Sequence, residues 1–360
     1  MTVEKNRVMK YRPISGRLHE HFGFKLLADG NESYFGITGH WIAGDWNLIS
    51  VILECVHVAE RHYSNNVAEL YKQLVKDWDI TKKIQALVTD NARNLVSAVN
   101  QTGFVHIPCL AHSLQLSILH GFKAADTETS FVKCQKIIRY FKHSSIHTTE
   151  LQNCSDSLFR KLQQDVLTRW NSTFLMLKRS NNHLHVRRRE YKGPKLFDSD
   201  WEKISKYINV LDLFCQATVQ LGSEKYASCS CVLPLLLSLT KHMIVNDDDP
   251  GYITRFKVAS VNNFSKCVAD MKSIEILQIA KALDPRYKNL KCLSDDSQEQ
   301  TWLLIGQQIA VDVNDDRLKT NAQDDTDSVS KTICEPNEKR IKLMEFDSDL
   351  EEEVENASAI

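Results

Sequence analysis

The sequence predicts an α/β chain: a mixed β-sheet flanked by helices, then a large all-helical block, then a charged tail. Three observations predict it. Apolar, β-branched segments recur between Ser33 and Ile107 with helical segments between them. One of these, Ile84 to Val88, ends in Thr89-Asp90-Asn91 and runs straight into a helical pattern, the order of an open α/β sheet. From Glu128 to about Val311 the apolar residues recur every three or four positions.

Taken in order, Met1 to Gly30 is poorly patterned and is read as a degenerate N-terminal segment, with Leu18 to Leu27 too short and mixed to assign. Residues 31–125 form the sheet domain. In it, Ser33 to Ile42 and Trp46 to Val58 read as a hairpin turning at Ala43-Gly44-Asp45. Ser64-Asn65-Asn66 caps a helix whose apolar positions are Val67, Leu70, Leu74 and Trp78. Leu95, Val96 and Val99 make the next helical face, stopped at Gly103, and Phe104 to Ile107 is a short strand delivering Cys109 and His112 to another helix.

Residues 126–311 form the helical domain. Its stripes include Phe131, Cys134, Ile137, Ile138 and Phe141; then Phe159, Leu162 and Val166; then Trp170, Phe174 and Leu177. Trp201 to Phe214, Val232 to Met243 and Phe256 to Met271 continue the pattern, with Pro234 in a first turn or at a kink and a loop at Asp247-Asp248-Asp249-Pro250-Gly251. Residues 312–360, weakly apolar and strongly acidic, are expected to be disordered. Lys339-Arg340-Ile341-Lys342 in this tail fits a short nuclear import signal.

The net charge of −1 conceals a division. Of 46 acidic and 45 basic residues, 15 and 6 lie from Val311 onward, leaving a body of 39 basic and 31 acidic residues, or +8. A basic body suits a polyanionic partner; a solvated surface with an ordinary acidic tail is the plainer reading. No apolar run approaches the ~18 residues of a membrane span, so no membrane partner is expected. Ten cysteines scattered without a C-x-x-C pair read as reduced thiols of an intracellular protein.

Five blocks carry a resemblance: SYFGITGHWI, KIQALVTDNARNLVSAV, IPCLAHSLQLSI, DVLTRWNSTFLMLKR and KALDPRYKNL. In this order they resemble hAT-superfamily transposases, most closely the domesticated branch with BED-type zinc fingers. The resemblance implies a ribonuclease-H-like mixed sheet interrupted by a large helical insertion, with three acids and divalent metal to cut and join DNA. It implies that a first core strand before SYFG ends in an Asp followed by a Trp; here Asp29 lies too close to Tyr34 and the Trp is missing. No BED finger spacing occurs, and no block resembling the third catalytic acid or the dimerisation segment is found, so a truncated chain and a monomer are expected.

Cutting a phosphodiester needs two cations about 3.5–4 Å apart, held by converging acids. Asp90 stands at a strand end before a helix, where it reads equally as an N-cap; the resemblance favours a vestigial metal ligand with the cap as its surviving job. Asp29 reads as a turn residue. His106, Cys109 and His112 form an H-x-x-C-x-x-H run; the strand-to-helix switch within it argues against zinc, and His112 is expected beside Asp90 with Cys109 a buried thiol. Arg169-Trp170 reads as a base-stacking site by resemblance or, as the favoured structural role, as the anchor of the helical domain on the sheet core with Arg169 paired to Asp165. Arg187-Arg188-Arg189, with Lys178, Arg179, His183, His185, Lys192 and Lys195, is the densest positive region, able to neutralise phosphates or to complement a helix end.

The expectation is a non-catalytic nuclear protein, with no cofactor, that binds DNA weakly and largely without sequence preference or acts as a scaffold for nuclear proteins in transcription regulation. One alternative is a metal-dependent transposase or nuclease using Mg or Mn with a third acid from elsewhere. Another is a protein-interaction module with no nucleic-acid role.

Overall fold

A computed structural model describes residues 20–29, 32–43, 47–57, 64–125, 127–153, 162–166, 169–182, 195–222, 228–271, 274–290 and 292–320. It divides the chain into two compact units, the first ending at Ile107 and the second beginning at Pro108.

The first unit holds β1 (Glu20–Asp29), β2 (Glu32–Ile42), β3 (Leu48–His57), α1 (Ser64–Asp77), β4 (Ile84–Thr89), α2 (Arg93–Asn100) and β5 (Val105–Pro108). The strands form one sheet in the order β3-β2-β1-β4-β5. Strands β1, β2 and β3 pair antiparallel in succession, while β1 and β4 run parallel, so the sheet is mixed. A bulge lets Ile37 pair with Glu54 and Thr38 with Ile52, leaving Leu53 as the extra residue.

Alternation along β2 buries Phe35 and Ile37 on one face. There they meet the apolar stripe of α1, Val67, Tyr71, Leu74 and Val75, and the shorter stripe of α2, Leu95, Ala98 and Val99. Gly103 adopts φ +80°, a left-handed turn that glycine permits without strain, and so lets the chain leave α2 for β5. The segment expected to be degenerate therefore contributes the central strand: β1 is hydrogen-bonded along both edges, and that pairing outweighs its weak local pattern.

The second unit is helical: α3 (Leu110–Ala124), α4 (Glu128–Lys142), α5 (Ser145–Asn153), α6 (Trp170–Ser180), α7 (Asp198–Leu221), α8 (Val232–His242), α9 (Gly251–Val268), α10 (Glu275–Leu283) and α11 (Asp295–Thr320). Helix α3, read from the sequence with the sheet, packs here against α9. Its Gly121 makes the crossing close: a Cβ at that position would collide with Ser260 Oγ and lie 2.8 Å from the Phe256 ring. Gly121→Ala is expected to destabilise the protein by about 1–3 kcal/mol through overpacking. A second change, Ser260→Ala, should restore part of the loss in a urea melt.

An aromatic cluster of Phe122, Phe131, Tyr207 and Phe256 fills the middle of this unit. The buried carboxylate of Asp200 in the first turn of α7 ties α4 to α7. It accepts from Lys133 at 2.9 Å, from Ser130 and from the Phe197 N–H. Burial pushes its carboxyl up, but these donors outweigh burial and hold it below the ordinary aspartate value.

Two expectations are corrected. Leu162 to Val166, assigned to a helical stripe, has no regular structure, and Val166 is exposed; Phe159 lies outside the described residues. Helix α11 runs on to Thr320, so the first nine residues of the expected disordered tail are helical, continuing a helix seated through buried Thr301 and Ile305. Pro234 occupies the first turn of α8, as its missing N–H allows.

Candidate functional site

In the first unit, the chemistry-bearing residues gather at the end of β4. Asp90 follows the strand and its Oδ1 accepts the N–H of Ala92 at 3.0 Å, satisfying a backbone donor at the entry to α2. Ala92 itself is the capping residue, so the carboxylate supports the helix start from two residues back. The Thr89 hydroxyl donates to the Asp90 carbonyl at 2.9 Å. The same Oγ1 lies 2.8 Å from His106 Nε2 on β5, a hydrogen bond in which the ring nitrogen donates when Nε2 carries the proton. Burial lowers the His106 pKa from the ordinary histidine value, favouring the neutral ring.

The histidine bonded at the end of β4 is thus His106, whereas His112 stands in the first turn of α3 in the second unit. Within the H-x-x-C-x-x-H run, His106 belongs to β5, Cys109 caps α3 and His112 lies in its first turn. Cys109 caps α3, half-buried rather than buried, and its carbonyl accepts from the N–H and hydroxyl of Ser113. Among the described residues no three His, Cys, Asp or Glu side chains form a group able to hold a metal ion.

The β1–β4 register fixes where Asp29 stands along the sheet. The last pair is Gly23 with Val88. Counting two places on brings Lys25 level with Asp90. Asp29 closes β1 opposite Glu32, four residues beyond Lys25, or about 13 Å of strand. Asp29 thus closes β1 and pairs with Glu32 across the two-residue connection to β2.

Trp170 opens α6 with 1% of its surface exposed. It lies against Phe174 and edge-on to Phe214, and its backbone N–H donates to Gln115 Oε1 at 3.3 Å. A ring enclosed in this way is not offered to a nucleobase, so the stacking reading of Trp170 is corrected to an anchor within the helical unit. Arg169 is exposed beside it, but Asp165 is held by Gln135 and Gln164 instead.

Lys178, expected among the phosphate-binding cations, pairs with Asp212 at 2.6 Å and lies over the Phe174 ring. Burial pushes the Asp212 carboxyl up, yet Lys178 and Gln216 outweigh it and keep it low. Arg179 is half-buried in the last turn of α6. Arg187, Arg188, Arg189 and Lys192, with the import-signal residues Lys339, Arg340 and Lys342, lie outside the described residues.

Sequence reasoning left the KALDPRYKNL block without a role. Asp284 closes α10 and accepts from the N–H, Nε and Nη2 of Arg286 and from the Ser230 hydroxyl at 2.6 Å. Arg286 lies over the Tyr287 ring, whose hydroxyl accepts from Gln220. The D-P-R-Y order was the available signal: an Asp two residues before an Arg across a proline turn favours this local fork.

Comparison with known proteins agrees with the division into units. Residues 28–103 match the family model of the ZBED1 RNase-like domain, and residues 107–205 match that of the ZBED1 RNase-like helical domain. A Zea mays protein named for the AC transposase is 27% identical over 289 residues, covering 72% of this chain and 35% of its own length. Human zinc finger BED domain-containing protein 6 is 34% identical over 166 residues, 43% of this chain and 17% of that protein. A Talaromyces stipitatus protein whose name describes a transcriptional regulator is 25% identical over 256 residues, 59% of this chain and 30% of its own length. The chain spans about a third or less of the length of these relatives.

Proposed function

From the chain's place among the hAT-type, BED-family transposase-derived proteins, we propose that it is a non-catalytic nuclear protein that binds DNA through its charge, in a regulatory or scaffolding role. The strand order, with β1 to β3 antiparallel and β1 parallel to β4, supports reading the sheet as a ribonuclease-H-like core. In such a core, cleavage would require acids from β1 and β4 to converge on cations about 3.5–4 Å apart. Mg or Mn would have to be gripped by Asp90 and a level neighbour.

The observation that carries the non-catalytic reading is the register. A lysine, Lys25, stands level with Asp90, and the acid of β1 lies about 13 Å further along. The Asp90 carboxylate already serves the Ala92 N–H. A carboxylate with no acid at its own level on β1 does not assemble a two-cation site.

Supercoiled plasmid incubated with the protein and Mn²⁺ is expected to stay intact, equally for the wild type and Asp90→Ala. The variant should instead lose about 0.5–2 kcal/mol of stability, the usual cost of losing a helix-start acceptor. Strand cleavage by the wild type that disappears in Asp90→Ala would restore the transposase or nuclease reading. Relatives named for a transposase and for a transcriptional regulator support DNA as the partner and the nucleus as the compartment. Duplex DNA should bind with an affinity that falls steeply with salt; retention indifferent to salt would favour a protein-interaction module.

A further inference from the structure

The described surface of the helical unit carries a line of cations that the charge runs of the sequence conceal. Along α4, Phe131, Cys134, Ile137, Ile138 and Phe141 are buried, while Lys136, Arg139 and Lys142 are exposed and His143 follows in the turn. From Ser130 to Thr149 there are four Lys or Arg residues, two His and no Asp or Glu. Lys133, the fourth cation, is committed to Asp200. Lys136, Arg139 and Lys142 form no ion pair among the described residues.

We infer that this stripe is a phosphate contact, the surface by which the helical unit grips the backbone of duplex nucleic acid. Successive cations three residues apart advance about 4.5 Å along the helix, so the stripe spans about 9 Å of backbone-facing surface. The pull of the helix dipole accounts for cations in the last turn, Arg139 and Lys142, but not for Lys136 a turn earlier or for the lack of acids in α4 after Glu128. A protein partner would need a large apolar or aromatic anchor within the patch. Val132, at the near end of the stripe, is the one large exposed apolar side chain described on α4. Val132 and, on α5, Ile146 are isolated exposed aliphatic side chains rather than an aromatic anchor, and evenly spaced charge of this kind fits a regular polyanion.

The inference rests on the DNA-binding reading and names its surface. The test compares the full chain with K136Q/R139Q/K142Q and with the charge-matched K72Q/K76Q/K82Q of the first unit. Binding to a fluorescent duplex of mixed sequence is followed by anisotropy from roughly 50 to 200 mM salt. The α4 variant should bind roughly a hundredfold more weakly near 0.1 M salt, with a salt slope shallower by about two to three. Its circular dichroism should be unchanged, because all three side chains are exposed. The K72Q/K76Q/K82Q variant should stay near the wild type. If the wild type binds with a steep slope and the α4 variant keeps it, the stripe is overturned and DNA binding stands. If both variants weaken equally, total charge acts and the stripe is overturned. A wild type without salt-dependent binding removes the DNA reading itself.

Discussion

Trp170→Ala is expected to lower stability by about 3–5 kcal/mol, the cost of emptying a buried indole site, while leaving the salt slope of DNA binding unchanged. The indole is 1% exposed and touches Phe174 within α6 and Phe214 on α7. Its removal would open a cavity where those helices meet, and a well-packed interior relaxes into such a cavity only partly. A denaturant melt reads the first effect and anisotropy the second. Trp170→Phe keeps most of the volume, so it should recover much of the stability and permits the binding measurement if the alanine variant does not fold. A base-stacking tryptophan would give the reverse pattern, with affinity lost and stability nearly kept.

The same residue illustrates how far the sequence was legible. Periodicity placed β2, β3, α1, β4 and α2 within a few residues, because each buries one face and its apolar spacing records that face. Strand β1 was not legible, since one of its two partners, β4, lies more than fifty residues further along the chain and its own pattern is mixed. Lys178 looked like a free cation because Asp212, which neutralises it, lies 34 residues away on another helix. His106 was passed over for His112 because the bond to Thr89 depends on β4 and β5 sharing the sheet. The base-stacking reading of Trp170 came from the resemblance of its block, and its burial against Phe214 carried no local mark. The cations of α4 had a mark, a spacing of three with no intervening acid, but Arg187-Arg188-Arg189 drew attention as the denser run.

Asp284→Ala is expected to cost about 2–4 kcal/mol, the second large effect. It would strip three donors of Arg286 and the Ser230 hydroxyl of their acceptor in one step. The arginine is 39% exposed and can turn to water, which keeps the cost below that of an isolated buried charge. Ser230 is buried and has no such exit. Burial pushes the Asp284 carboxyl up, but Arg286 and Ser230 outweigh burial, so its folded pKa lies below the ordinary aspartate value. A depressed carboxyl stabilises the fold above the unfolded aspartate pKa, near 3.9, and that contribution is lost as pH falls through the folded value. The wild type should therefore lose stability in acid more steeply than Asp284→Ala, and the two melting curves should converge as the pH falls below about 4. Parallel curves would mean that Asp284 packs without carrying its charge into the fold. If the variant kept wild-type stability but lost DNA binding, the D-P-R-Y turn would belong to a functional surface; a loss of stability with an unchanged salt slope makes it the clasp that closes α10 onto the turn at Ser230.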